Sequence, residues 1–143
     1  MTRRLLLVSI VPLAALGAAS FGTGRQTAAV EPTTTAAGVF TAAQAAKGEE
    51  AYMNMCVGCH ATGTYSTPAF REKWHHQPVA DLFTLVSETM PKQDPASLTP
   101  QEYAQLVAYL LKINDVPAGK TELPVEIEVL KKITIEMPGV GKK

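Results

Sequence analysis

An all-α fold follows from three features of the sequence. Small or apolar residues recur at three- and four-residue spacing in three segments, each segment opens on a capping or first-turn residue, and the two cysteines stand as Cys56-Val57-Gly58-Cys59-His60, a spacing suited to a helical turn. With 143 residues, 46% of them hydrophobic, the chain has room for one domain and its appendages.

In chain order, residues 1–19 are expected to be an export signal. Arg3 and Arg4 form the positive start, Leu5 to Leu16 the apolar run, and Gly17-Ala18-Ala19-Ser20 the small residues a peptidase needs. The run is short beside the ~20 residues of a bilayer span. Cleavage is therefore expected to leave no stable membrane anchor and to deliver the chain to the periplasm. Residues 20–38, rich in Thr, Ala and Gly, bury too little surface to offset their ordering entropy and predict a flexible leader. An ordered domain is expected over 39–119, followed by a C-terminal extension over 120–143 that packs on it and frays at its end.

Within the domain, Thr41 and Gln44 predict a capping box for a helix over Ala42 to Met55, with Phe40 stapling onto Ala45. Gly48, Tyr52 and Cys56 share one face of it, and a mid-helix glycine is worth its cost of ~1 kcal/mol where another helix comes close. After an irregular stretch, Phe70 to His75 predict a helical turn. Pro78 then opens a helix whose Val79, Leu82, Leu85 and Val86 line one side. Thr99, Pro100 and Glu102 cap the last clear helix, with Leu98 stapling to Tyr103 and a stripe of Leu106, Val107, Tyr109, Leu110 and Ile113 facing Gly48 and Tyr52. The extension from Val125 to Ile135 fits strand and helix spacing equally.

C-x-x-C-H is the attachment signature of a c-type haem, because two sulfurs must meet two vinyl groups while the next histidine meets the iron. Competing readings are a thioredoxin-like pair, which wants a βαβ setting, a structural disulfide, and half a zinc site, for which His75-His76 is too tightly spaced. The sequence thus predicts one haem c, bound covalently through Cys56 and Cys59, with His60 as one iron ligand. Of the five methionines, Met90 sits before Pro91 on a loop able to cover the opposite haem face, whereas Met1 is in the signal, Met53 and Met55 precede the motif, and Met137 is in the tail. Met90 is therefore the expected second ligand, with His75 or His76 next in line. A carbonyl of the loop after the motif, that of Pro68 in particular, is expected to orient His60. Trp74 is expected to give its indole N–H to a haem propionate or to a backbone carbonyl.

Charge narrows the partners. The whole sequence carries no net charge, and removal of Arg3 and Arg4 leaves eleven basic against thirteen acidic residues, which argues against nucleic acid.

With Cys56-Val57-Gly58-Cys59-His60, Met90-Pro91 and Gly48/Tyr52 facing Ala108-Tyr109-Leu110-Leu111 in view, the chain resembles the class I cytochrome c family from about Ala42 to Asn114. The stretch from Met90 to Gly119 is similar to small monohaem domains found alone or attached to periplasmic quinoprotein dehydrogenases. The resemblance implies helices wrapped around one covalently bound haem, Cys56 and Cys59 as thioether links, His60 and Met90 as iron ligands, and terminal helices crossing at Gly48 and Tyr109. The Gly-Pro pair common after the motif is here Thr67-Pro68. The expected function is a non-enzymatic periplasmic electron carrier meeting its redox partners transiently, a periplasmic dehydrogenase as donor and an oxidase or other acceptor. The alternatives are a sensor or peroxidase-like protein with an open sixth site, and a dedicated haem subunit of a dehydrogenase complex.

Overall fold

Four helices and a one-turn fifth account for most of the regular structure in the computed structural model, which describes residues 33–141. The expected signal, most of the leader and Lys142-Lys143 lie outside the described residues. Helix α1 spans Ala42–Met55, α2 Pro68–Trp74, α3 Val79–Thr89, α4 Pro100–Lys112 and α5 Ile127–Leu130. Two-residue strands, β1 at Thr33–Thr34 and β2 at Ile133–Thr134, pair in parallel. The fold is all-α, as the sequence predicts.

The helix starts follow from their capping residues. The Thr99 hydroxyl accepts from the Glu102 N–H at 3.3 Å while the Glu102 carboxylate accepts from the Thr99 N–H at 2.7 Å, so α4 begins on a complete capping box. That bonding holds the Glu102 carboxyl below its ordinary range. Helix α2 opens at Pro68, with Thr67 accepting from the Phe70 N–H at 3.2 Å. At α1 only half of the expected box forms. Thr41 accepts from the Gln44 N–H at 3.0 Å, but the Gln44 amide turns inward, where it donates to the Leu123 carbonyl at 2.9 Å and accepts from the Leu123 N–H at 2.7 Å. A fully buried amide must satisfy both its ends, and the tail backbone offers both partners.

Helices α1 and α4 cross where Gly48 meets Gln105. A Cβ on Gly48 would lie 1.8 Å from the Gln105 carbonyl oxygen, so only glycine permits this approach. One turn later Tyr52 packs on Tyr109, ring centroids 5.2 Å apart. The contact between the helices is thus centred at Gln105, with Tyr109 against Tyr52 rather than against the glycine.

The last part of the expected leader is ordered. Thr33 and Thr34 pair with Ile133 and Thr134, and the buried Thr35 hydroxyl accepts from the Glu136 N–H at 2.9 Å and donates to the Glu136 carbonyl at 3.2 Å. Gly38 takes a φ of 75° and touches Gly119, whose own Cβ would fall 1.9 Å from the Gly38 carbonyl oxygen. Composition alone predicts mobility for 33–38. These backbone partners, about a hundred residues away, supply the hydrogen bonds that composition cannot foresee. The tail lies against the helices through buried Leu123, Leu130, Ile133, Ile135 and Met137, and resolves its ambiguous spacing as one helical turn followed by two strand residues.

Gly48→Ala drives a methyl group into a backbone carbonyl that cannot move without separating the two helices. It is expected to cost about 3 kcal/mol of unfolding free energy, the upper end for overpacking, read as a lowered denaturant midpoint.

Candidate functional site

The C-x-x-C-H motif begins where α1 ends. Cys56 caps the helix, its N–H donating to the Tyr52 carbonyl at 2.8 Å, and the chain makes one further turn in which the Cys59 and His60 N–H groups donate to the Cys56 carbonyl at 3.1 and 2.9 Å. The Tyr52 hydroxyl closes the turn by donating to the His60 carbonyl at 2.8 Å. A tyrosine held by the α1–α4 crossing therefore fixes the position of the motif. The two sulfurs are not joined to each other, and Cys56 is half-buried while Cys59 is exposed.

Cys56, Cys59 and His60 line a cavity of about 630 Å³ together with Met90, and its walls include Leu82, Leu106, Leu110, Phe70 and Trp74. That volume falls within the roughly 300–1,000 Å³ typical of cofactor sites, as does the mostly apolar wall with few polar groups. The donors suit haem: two thiols on one turn, an imidazole beside them, and a thioether coming from the end of α3. The charged side chains on the wall are Lys73 and Lys92, with the Lys73 ammonium 5.1 Å from the centroid of the buried Trp74 indole. Among the described residues, no cluster of three or more His, Cys, Asp or Glu side chains is placed to hold a metal ion.

Met90 ends α3, its N–H donating to the Val86 carbonyl at 3.0 Å and its carbonyl accepting from the Tyr103 hydroxyl at 2.8 Å. Helix α4 thereby holds the loop in place. Met55 also borders the cavity, but it immediately precedes Cys56 on the motif's own side and is about half exposed. Met137 is buried in the tail core, and neither Met137 nor Met53 lines the cavity. His75 and His76 are outside it too: their rings stack at 3.8 Å, and His75 Nδ1 accepts from the Met137 N–H at 3.1 Å.

Residues 43–110 match the family model described as cytochrome C oxidase, cbb3-type, subunit III. This segment is a class I monohaem c-type cytochrome domain. No curated protein and no solved structure matches the chain. The cytochrome domain binds haem c, and it is an electron-transfer domain of a kind typically exported and typically without enzymatic activity. Among the described residues, no helix is long and apolar enough to cross a membrane.

Of the six residues singled out in the sequence, five line the cytochrome cavity: Cys56, Cys59, His60, Trp74 and Met90. Pro68 does not. It is exposed at the first position of α2, on the far side of the irregular stretch, and His60 Nδ1 instead meets the Tyr65 hydroxyl at 2.8 Å. Tyr65 is thus a site residue the sequence reading missed. Its signal was present, an aromatic residue with a hydrogen-bonding end five positions beyond the histidine. Tyr103 was read only as a staple partner, and its hydroxyl's bond to Met90 has no counterpart in spacing.

Burial, with smaller contributions from Tyr65, Cys56 and Tyr109, pushes the Tyr52 phenol from 10.0 up to about 12. Between those values the folded state keeps a proton that the unfolded chain releases, so this contribution to stability is whole below pH 10 and is lost as pH rises toward 12. Denaturant melts across that range should show a steady loss of stability, with a smaller slope in Tyr52→Phe.

Proposed function

We propose that the chain is a periplasmic monohaem cytochrome that shuttles single electrons, with Cys56 and Cys59 as the thioether links and His60 and Met90 as the iron ligands. The observation that carries this reading is the meeting of those four side chains on one apolar cavity, three from the turn after α1 and one from the end of α3. When bound, haem c would supply a ferric/ferrous couple, and a thioether such as that of Met90 would raise its potential relative to harder ligands.

The remaining work belongs to the protein. Leu82, Leu106 and Leu110 exclude water from the cavity, which strengthens every electrostatic effect inside it. Tyr52 and Tyr103 hold the backbone carbonyls of His60 and Met90, each at 2.8 Å, so both ligands keep their positions when the charge at the site changes. Trp74, Lys73 and Lys92 are the donors on the wall suited to carboxylates such as propionates.

Met53, Met55, Val57 and Leu85 are large apolar side chains left exposed, and Met55 and Leu85 also border the cavity. A small apolar contact at this edge fits a transient redox encounter better than a permanent interface. The donor is proposed to be a periplasmic dehydrogenase and the acceptor an oxidase, in keeping with the family whose model the domain matches.

Met90→Ala should abolish the far-red sulfur-to-iron band of the oxidised protein and lower its midpoint potential while the haem remains attached. Survival of both signals would assign the sixth position to another group, and carbon monoxide binding by the unaltered reduced protein would favour an open-site sensor or peroxidase instead. His60→Ala should yield no stable holoprotein, as judged by a pyridine haemochrome assay.

A further inference from the structure

We infer that Tyr65 is the positioning residue for His60: its phenol oxygen, rather than a backbone carbonyl of the following loop, accepts the Nδ1 proton and thereby turns Nε2 into the cavity as the metal-binding atom. The inference rests on the electron-carrier reading and adds to it a residue that sets the potential.

A neutral imidazole carries one N–H and one lone pair, and whichever nitrogen gives its lone pair to a metal leaves the other to donate. Nδ1 lies 2.8 Å from the Tyr65 oxygen. A hydroxyl accepts as readily as it donates, so ligation through Nε2 leaves the contact intact and fixes its direction, from Nδ1–H to the phenol.

The oxygen is held where it is by two ring contacts and one hydrogen bond to the Tyr65 backbone. The Tyr65 ring stands edge-on to Tyr52 at 6.5 Å and tilted against Phe70 at 5.6 Å. Its backbone carbonyl accepts from Asn114 Nδ2 at 2.7 Å, and the same amide donates to the Leu110 carbonyl at 2.8 Å. Asn114 is completely buried just beyond the end of α4, so the loop that carries Tyr65 is tied to the helix forming the back of the cavity. Pro68, the rival by sequence, is exposed at the start of α2. A partner on the distal N–H raises the basicity of a ligating histidine. That favours the ferric state, so the phenol oxygen lowers the potential and its removal raises it.

The test is Tyr65→Phe, which keeps the ring and removes only the oxygen, compared with wild type and with Tyr109→Phe, whose hydroxyl lies outside the cavity. Expected for Tyr65→Phe are unchanged haem mass, an unchanged far-red band, and a midpoint potential raised by the equivalent of a tenfold change in the ferric-to-ferrous ratio, ~59 mV for a one-electron couple. A potential that is unchanged or lower in Tyr65→Phe, or that rises equally in Tyr109→Phe, overturns the inference. Should Tyr65→Phe fail to accumulate or lose its band, nuclear Overhauser contacts in wild-type holoprotein carrying ¹⁵N-histidine decide. Contacts from His60 Nδ1–H to the Tyr65 ring support the inference, and contacts to Pro68 alone overturn it. Absence of attached haem or of the far-red band in wild type would instead refute the underlying electron-carrier reading, which separates the two failures.

Discussion

The contact between Gly48 and the Gln105 carbonyl is the constraint on which the site depends. Because nothing larger than hydrogen fits there, α1 and α4 meet at backbone distance, and everything further along each helix is placed by that one approach. One turn along α1, Tyr52 packs on Tyr109 and reaches the His60 carbonyl. A further turn brings Cys56. Along α4, Leu106 and Leu110 form cavity wall, and at the helix start Tyr103 reaches back to the Met90 carbonyl. Both backbone segments carrying the proposed iron ligands are therefore tied by tyrosine hydroxyls to the same crossing.

The cavity gives the fold its second requirement. Its leucine and aromatic walls gain stability only when apolar surface covers them, at about 25 cal/mol per Å² removed from water. A flat macrocycle attached through Cys56 and Cys59 supplies that cover and remains in place, since a covalent link spares the protein the entropy of holding a separate ligand. Folding and cofactor attachment are then coupled, because the apolar walls and the attached group cover each other only in the folded chain. The helices can be few and short because part of the interior comes from the prosthetic group.

Much of this was legible from residue identities. Caps announce themselves locally, so the starts of α1 and α4 followed from Thr41 and Thr99-Pro100-Glu102, and the C-x-x-C-H motif carries its chemistry in five residues, whereas α2 begins at Pro68 behind its Thr67 cap, two residues before the turn expected at Phe70. Met90 was separable from four other methionines by its position on the chain, and it lies on the cavity wall. What escaped were single hydrogen bonds between residues far apart in sequence. Gln44 looked like the second half of a capping box because its chemistry fits one. It serves the Leu123 backbone instead, 79 residues away, and no periodicity records such a pairing. Thr35 and Glu136, 101 residues apart, are the same case, and they explain why a stretch of Thr and Ala with the composition of a mobile leader is ordered at 33–38. The orienting partner of His60 was sought among carbonyls because the usual second partner of a ligating histidine is an acceptor. A phenol satisfies the same requirement, and only the geometry distinguishes Tyr65 from Pro68.

The tail shapes the site from beyond the cytochrome segment. Residues 43–110 contain the motif, Met90 and the whole of the cavity wall, yet the link between α2 and α3 is held from outside them. The His76 N–H donates to the Ile135 carbonyl, the Ile135 N–H to the Gln77 carbonyl, both at 2.8 Å, and the Met137 N–H to His75 Nδ1. These bonds follow directly after Trp74, which is buried in the cavity wall, and β2 carrying Ile133 is in turn bound to Thr33 and Thr34. Strands of two residues are too short to stand alone, so their order depends on the helices they cover, while the helices' connecting turn depends on them. A segment without haem ligands thus fixes the angle at which α2 presents its tryptophan. The shape of that side of the cavity is set by residues that the family's own motif does not include.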